Sequence, residues 1–364
     1  LLITLVSATT SAFLPALPST VTVTDVKDHL TTKGDFLSSI LITGGAGFIG
    51  QAVARALSDK PNANVIIADN FARGRMDAEL QALLERPNVR FLQGDLTDKA
   101  FFDALPTDVE YIYHFAAVIG VRSVLENPDK VLYVNAISTL YLFEYAKRLP
   151  NLKRVLFSST SEVYAGTLKH FGIAVPTPET EKLALDDISS PRTTYMLSKM
   201  YGESICFNYG RLYSIPFTIV RYHNVYGPRM GFLHVIPEMF IKIRNNDVID
   251  VASPTHTRAF CYIDDAVRAT ITATEHPKAA GEVLNIGNQR EEIAIRDLVR
   301  TIARVMQKDI TINDLPDTPG SPARRCPDMS KLKSLTGYEP SISLEEGVAR
   351  MYAWYADKLD EKYE

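Results

Sequence analysis

The 364 residues include only three cysteines and one tryptophan. Cys206, Cys261 and Cys326 are odd in number, scattered and without metal-ligand spacing, which excludes a disulfide framework and a zinc site and leaves packed thiols. Charge of one sign is also scarce. The net charge is −4 and no lysine or arginine cluster exceeds a pair, so no long-range field draws the chain to nucleic acid, and none is expected as a partner. Long hydrophobic runs are missing as well: the apolar opening at residues 1–6 is far too short to span a bilayer, so no transmembrane segment is expected. With the small residues that follow, residues 1–38 read as the tail of a targeting peptide or as a linker, outside the fold. Localisation stays open between the cytoplasm, for a linker, and an organelle or the secretory pathway, for a targeting peptide. His114, His223 and His234 lack ligand spacing, so no metal is expected.

What is present is a repeating pattern. Apolar β-branched runs at 39–43, 65–69, 89–93, 111–115, 154–159 and 217–221 alternate with helical stretches, which predicts an α/β protein. The expected form is a Rossmann-type, doubly wound parallel sheet, with a smaller C-terminal substrate-binding lobe. The Rossmann domain is assigned to 39–224 with a return near 262–290, and the lobe to 225–261 and 291–358. In the lobe, helices are expected at 235–245, near 295–307 and at 344–358, with a short strand at 248–251 and a proline-rich stretch at 316–327. Ligands of such sheets bind at the carboxyl ends of the strands, where Asp69, Asp95, His114, Ser159, Thr160 and the 221–224 stretch fall.

The first of those strand ends runs into Gly44-Gly45-Ala46-Gly47-Phe48-Ile49-Gly50, and a helix is expected from 48 to 57. Gly44 permits the tight turn, Gly47 lets the backbone approach a pyrophosphate, and Gly50 lets the helix pack against the sheet, so NAD(P) binding follows. Asp69 ends the second strand about 25 residues later, the usual place for the acid that holds a ribose 2′-hydroxyl, which favours NAD. Arg73 and Arg75 lie nearby and keep a 2′-phosphate in play.

Tyr195 and Lys199 stand four apart on one face of a helix expected to run through Tyr209. An ammonium beside a phenol lowers the phenol pKa, and the positive nicotinamide lowers it further, which makes Tyr195 a candidate base near neutral pH. The Ser158-Ser159-Thr160 strand end supplies a hydroxyl.

These landmarks, joined by Asp69-Asn70, Gly94-Asp95-Leu96, His114-Phe115-Ala116-Ala117, Asn135, Thr160-Ser161-Glu162, Gly227-Pro228-Arg229, Thr257-Arg258 and Arg325-x-x-Asp328, resemble the extended short-chain dehydrogenase/reductases that modify nucleotide sugars as epimerases, dehydratases and decarboxylases. The likeness covers about residues 39–358. It implies NAD contacts from Gly44, Gly47, Phe48, Ile49, Gly50, Asp69 and Asn70, from Asp95 and Leu96 beside the adenine, and from Ala116, Ala117, Asn135, Tyr195 and Lys199. It implies that Thr160 bonds the sugar 4-hydroxyl while Tyr195 takes its proton and C4 gives hydride to NAD. Ser161, Asn224, Arg258 and Arg325 would serve the sugar-nucleotide, the arginines at its diphosphate, with Asp328 at the nucleoside ribose. A homodimer joined by a four-helix seam is the family's common form, and the 131–148 helix is read as core or dimer surface.

All members of this group pass through a 4-keto sugar, so the branch chosen rests on few residues. Thr160-Ser161-Glu162 resembles the uronic-acid decarboxylases and some 4,6-dehydratases, which implies that Glu162 supplies the second acid/base that chemistry at C5 requires and a plain epimerase does not; the alternative reading is a carboxylate at a helix start. The expectation is therefore a UDP-glucuronate (UDP-hexuronate) decarboxylase, followed by a UDP-sugar 4-epimerase and then a nucleotide-sugar 4,6-dehydratase. The stretch from Gly120 to Pro128 is similar to UDP-glucuronate 4-epimerases, with Arg122 a candidate partner for a carboxylate. Gly231-Phe232-Leu233-His234 departs from the Met-Asn-Asp-Gly-Arg run typical of the decarboxylases, and His223 replaces a usual phenylalanine. A non-catalytic dinucleotide sensor is the reading from a different class, and it has no need of Thr160, Tyr195 and Lys199 together.

Overall fold

The computed structural model describes residues 38–318 and 321–360. The targeting-or-linker reading of the leading segment therefore lies outside the described residues up to 37, while Ser38 already begins the first strand.

Seven parallel strands form the central sheet. They are β1 Ser38–Thr43, β2 Ala63–Asp69, β3 Val89–Gln93, β4 Val109–His114, β5 Arg154–Thr160, β6 Phe217–Tyr222 and β7 Val283–Ile286, in the spatial order β7-β6-β5-β4-β1-β2-β3. Helices cover both faces, so the strands are apolar almost throughout rather than alternating with polar residues. Their side chains still divide by parity. Ile40, Ile42, Val65 and Ile67 join Val53, Ala54, Ala269 and Ala273 on one face. Leu41, Ile66 and Ala68 join Leu142, Phe143, Ile205 and Cys206 on the other. The helices involved are α1 Phe48–Ser58 and α4 Ile263–Glu275 on the first side, and α2 Pro128–Ala146 and α3 Thr193–Tyr213 on the second. All three cysteines are free and buried.

The strand order reverses between β1 and β4, whose ends are tied by a hydrogen bond from Phe115 N–H to the Thr43 carbonyl at 2.9 Å. A crevice opens at such a switch point because the connections leave it in opposite directions. β7, absent from the six strand runs read from the sequence, extends the sheet beyond β6 after the chain has visited the lobe. It is only four residues long and contains the polar Asn285, which hides its periodicity.

The lobe is built from helices Val235–Asn245, Ile295–Val305, Ser330–Thr336 and Leu344–Tyr355 and from short strand pairs. Val248–Ala252 pairs with Thr311–Leu315, and Thr257–Ala259 lies between Glu292–Ala294 and Arg324–Arg325. A further bridge was not legible in the sequence: the chain at 172–192 crosses from the sheet to the lobe, with Thr177 N–H bonded to the Cys326 carbonyl at 2.8 Å and Asp328 N–H to the Thr177 carbonyl at 2.9 Å. Among the described residues no helix is long and apolar enough to cross a membrane.

Candidate active site

The glycine turn is built for close approach. Gly44 has φ +71°, and a Cβ there would lie 2.6 Å from the Ala116 nitrogen; a Cβ on Gly50 would lie 2.3 Å from the Gly44 carbonyl oxygen. α1 then starts without a capping side chain and without an acid in its first turn, so its leading amides are left for an anion. Asp69 closes the corner: its carboxylate accepts from Ala46 N–H at 3.0 Å and from Phe71 N–H at 2.8 Å. Burial raises its pKa, while those backbone donors and Arg229 pull it down. An uncapped helix start, a turn that excludes side chains and a buried acid at the next strand end fit a dinucleotide.

This turn lines a cavity of about 590 Å³ that also reaches Thr160, Ser161, Glu162, Tyr195, Lys199, Asn224 and Arg325. Gly47, Phe48, Ile49, Asn70, Asp95, Leu96, Ala116 and Ala117 line it too. Asn135, Arg258 and Asp328 do not line it. The Asn135 amide is spent inside the protein: it accepts from Val118 N–H at 2.7 Å and donates to the Val118 carbonyl at 3.1 Å and to Ser198 Oγ at 3.1 Å. Asn135 thus holds the Val118 wall from behind instead of facing the cavity, because its amide matches one peptide group on both edges. Arg258 donates to the Thr257 carbonyl and Ser321 Oγ, at 2.7 and 2.9 Å, and burial beside Arg325 lowers its pKa to about 10. Asp328 accepts from Ser330 N–H at 2.8 Å at the start of a helix. Arg122 pairs with Glu126 at 3.0 Å on the surface.

The candidate catalytic groups meet where β5 ends beside α3. Thr160 caps the short turn Ser161–Tyr164 by accepting from Glu162 N–H at 3.2 Å, and it lines the cavity together with Tyr195. Lys199, one helical turn beyond Tyr195, donates to the Ser158 carbonyl at 2.7 Å; its ammonium lies 5.9 Å from the Tyr195 ring centre. Burial pushes the Lys199 amine down to about 8. The phenol is not lowered in the protein alone, contrary to the expectation from Lys199. Burial, with the nearby Glu162 charge, raises it, and the opposing pull comes from Thr160 and Arg73. The lysine is held toward the strand carbonyl, so its charge does not decide the phenol by itself.

Glu162 reaches across to Arg325, whose Nη1 lies 2.6 Å from Oε1. The Glu203 partner of Arg221 escaped the sequence reading. Arg221 makes a two-pronged pair with Glu203 at 2.6 and 2.9 Å, and Glu203 also accepts from Ser159 Oγ at 2.5 Å, so strand β5 is clamped directly behind Thr160. His223 is buried and neutral, its pKa pushed down to about 3 by burial, and its Nε2 lies 3.1 Å from Asn285 Oδ1. The same Asn285 oxygen accepts from the Tyr164 hydroxyl, so His223 belongs to a structural network. His114 is likewise held between Thr43 and Thr139. Among the described residues no three His, Cys, Asp or Glu side chains group as metal ligands.

The model of the NAD dependent epimerase/dehydratase family matches residues 40–287. UDP-glucuronic acid decarboxylase 6 of Arabidopsis thaliana is 33% identical over 86% of this chain and 87% of its own length. Among solved structures, the UDP-glucose 4-epimerase of Thermotoga maritima superposes with a TM-score of 0.77 at 28% identity, over 88% of this chain and 100% of that one. The UDP-glucuronic acid 4-epimerase of Bacillus cereus, in complex with UDP-glucuronic acid and NAD, gives 0.74 at 29% identity, over 88% and 99%.

Proposed function

This chain belongs to the NAD dependent epimerase/dehydratase family, and from that premise we propose that it decarboxylates a UDP-linked hexuronate, UDP-glucuronate first, through a 4-keto intermediate. The observation that carries this reading is the Glu162–Arg325 pair, an acid/base and a fixed cation on the wall of the cavity that also holds Thr160 and Tyr195.

Bound NAD would accept the hydride from C4 and give it back once C5 is protonated, so the cycle closes without net oxidation. Thr160 orients the 4-hydroxyl and Tyr195 takes its proton, with Lys199 as the adjacent cation. The ketone then stands β to the C6 carboxylate; the C5–C6 bond breaks, carbon dioxide leaves, and the electron pair moves into the enolate. Glu162 is the group suited to return a proton to C5. Its bond to Arg325 supports a role for that arginine at the sugar's carboxylate end, in place of the diphosphate role expected from the sequence, because a guanidinium fork matches a carboxylate.

Epimerisation of the same uronate is the runner-up. It uses Thr160, Tyr195 and Lys199 but needs no Glu162, and the fold's likeness to the Bacillus cereus epimerase supports it. Incubation with UDP-glucuronate, UDP-galacturonate and UDP-glucose, read by mass, separates the outcomes. Loss of carbon dioxide supports decarboxylation; an isobaric product with a new retention time replaces it with epimerisation, and loss of water with dehydration. No product from any donor leaves the sensor.

A homodimer is part of the same proposal. α2 and α3 leave Tyr133, Tyr201, Phe207 and Tyr213 exposed, large apolar surfaces that a second copy would cover. Light scattering that finds only monomer at micromolar concentration removes it.

A further inference from the structure

The one tryptophan of the sequence is used as a strut. Trp354, in helix Leu344–Tyr355, donates its indole N–H to Glu79 at 2.6 Å, and the adjacent Tyr355 hydroxyl bonds the Met230 carbonyl. Glu79 sits in the first turn of helix Ala78–Leu84, whose capping residue is Asp77. One Asp77 oxygen takes Leu80 N–H at 3.0 Å; the other takes Arg229 Nε at 2.7 Å. The remaining donors of Arg229 reach the Ala46 carbonyl at 3.2 Å and the Gly47 carbonyl at 3.5 Å, so the arginine grips the glycine turn itself. Its side chain is only 8% exposed, and its backbone is held at φ +67°, a left-handed conformation that side chains disfavour. Such strain persists only where surrounding contacts enforce it. Beyond Arg229, residues Met230, Gly231, His234 and Val235 line the same cavity as the glycine turn.

We propose that Arg229 and Asp77 form a latch that fastens the C-terminal lobe to the cofactor turn and makes NAD a resident that does not exchange, with Trp354–Glu79 bracing the other side. Helix Ala78–Leu84 has seven residues and buries only Leu80 and Leu83, and beside a long hydrogen bond from Gln51 Nε2 to the Glu79 carbonyl at 3.4 Å these two cross-links help to fix its position. Arg229 is a positioning residue here: it acts through the turn carbonyls and the lobe. The inference rests on the family's NAD dependence and holds whichever sugar reaction follows.

The test is an isotope chase. Protein loaded with labelled NAD is diluted into unlabelled NAD, and the label retained is followed by rapid gel filtration. Asp77→Asn keeps a capping oxygen but loses the charge, Arg229→Ala removes the grip, and Arg229→Lys keeps the charge without the fork. Release is expected to accelerate about tenfold or more in D77N and R229A, less in R229K, and no further in the D77N/R229A double variant. Turnover of the variants should then require added NAD. If R229A fails to fold by circular dichroism, D77N decides alone. Release from D77N at the wild-type rate overturns the latch, and so does additive acceleration in a folded double variant.

Discussion

Arg325 Nη1 and Glu162 Oε1 lie 2.6 Å apart although 163 residues separate them in the chain. One comes from the turn after β5, the other from a two-residue strand, Arg324–Arg325, that pairs with Thr257–Ala259 in the lobe. The pair therefore exists only when the lobe is docked on the sheet.

Replacing Glu162 by Gln should separate the two halves of the reaction. On the proposed mechanism C4 oxidation uses Thr160, Tyr195 and Lys199, whereas proton return at C5 uses the Glu162 carboxyl group. We expect release of carbon dioxide-depleted product to fall by about 10²–10⁴-fold, while reduced nicotinamide still forms on adding UDP-glucuronate. Equal loss of both signals would show that Glu162 only supports the site.

Tyr195→Phe should abolish turnover with little change in NAD binding, because the ring stays and only the phenolic oxygen goes. Binding is read by cofactor retention and turnover by product mass. Unchanged activity would remove Tyr195 as the base.

The buried Lys199 amine, pushed down to about 8 from 10.5, predicts a pH dependence of both rate and stability. As pH rises through about 8 the ammonium is lost, so the rate profile should show an alkaline limb there. Stability moves the other way. Between about 8 and 10.5 the unfolded chain still binds the proton that the folded protein has shed, so this group's contribution to stability rises with pH. Lys199→Met should remove that rise, measured as the melting temperature of wild type and variant across the window.

Glu203→Gln should be costly although Glu203 touches neither substrate nor cofactor in the mechanism above. Its carboxylate answers a guanidinium whose side chain is 4% exposed, and it fastens Ser159 next to Thr160. Leaving Arg221 without its counter-charge in the interior should destabilise by about 3–5 kcal/mol, read by denaturant unfolding. A loss below about 1 kcal/mol would mean that solvent reaches the pair.

Local chemistry made part of the site legible. The glycine spacing, Asp69 at a strand end, and Tyr195 with Lys199 one turn apart each depend on a short stretch whose backbone form follows from its own residues. Asn135, Arg258 and Asp328 show the limit of such reading. Each carries a suitable polar group, whose partners in the structure, Val118, Ser321 and Ser330, the motif does not contain.

The amino-acid sequence by itself determined the alternation of strands and helices, the parallel sheet buried on both faces and the turn where a dinucleotide sits, because periodicity and glycine sterics act over a few residues. Only the tertiary structure decided that Glu162 faces Arg325, that Arg221 is neutralised by Glu203, that the Tyr195 phenol is raised in the protein alone, and that Arg229 grips the glycine turn. Those outcomes depend on charges and burial brought together from segments far apart in the chain, and no local pattern encodes the distance between them.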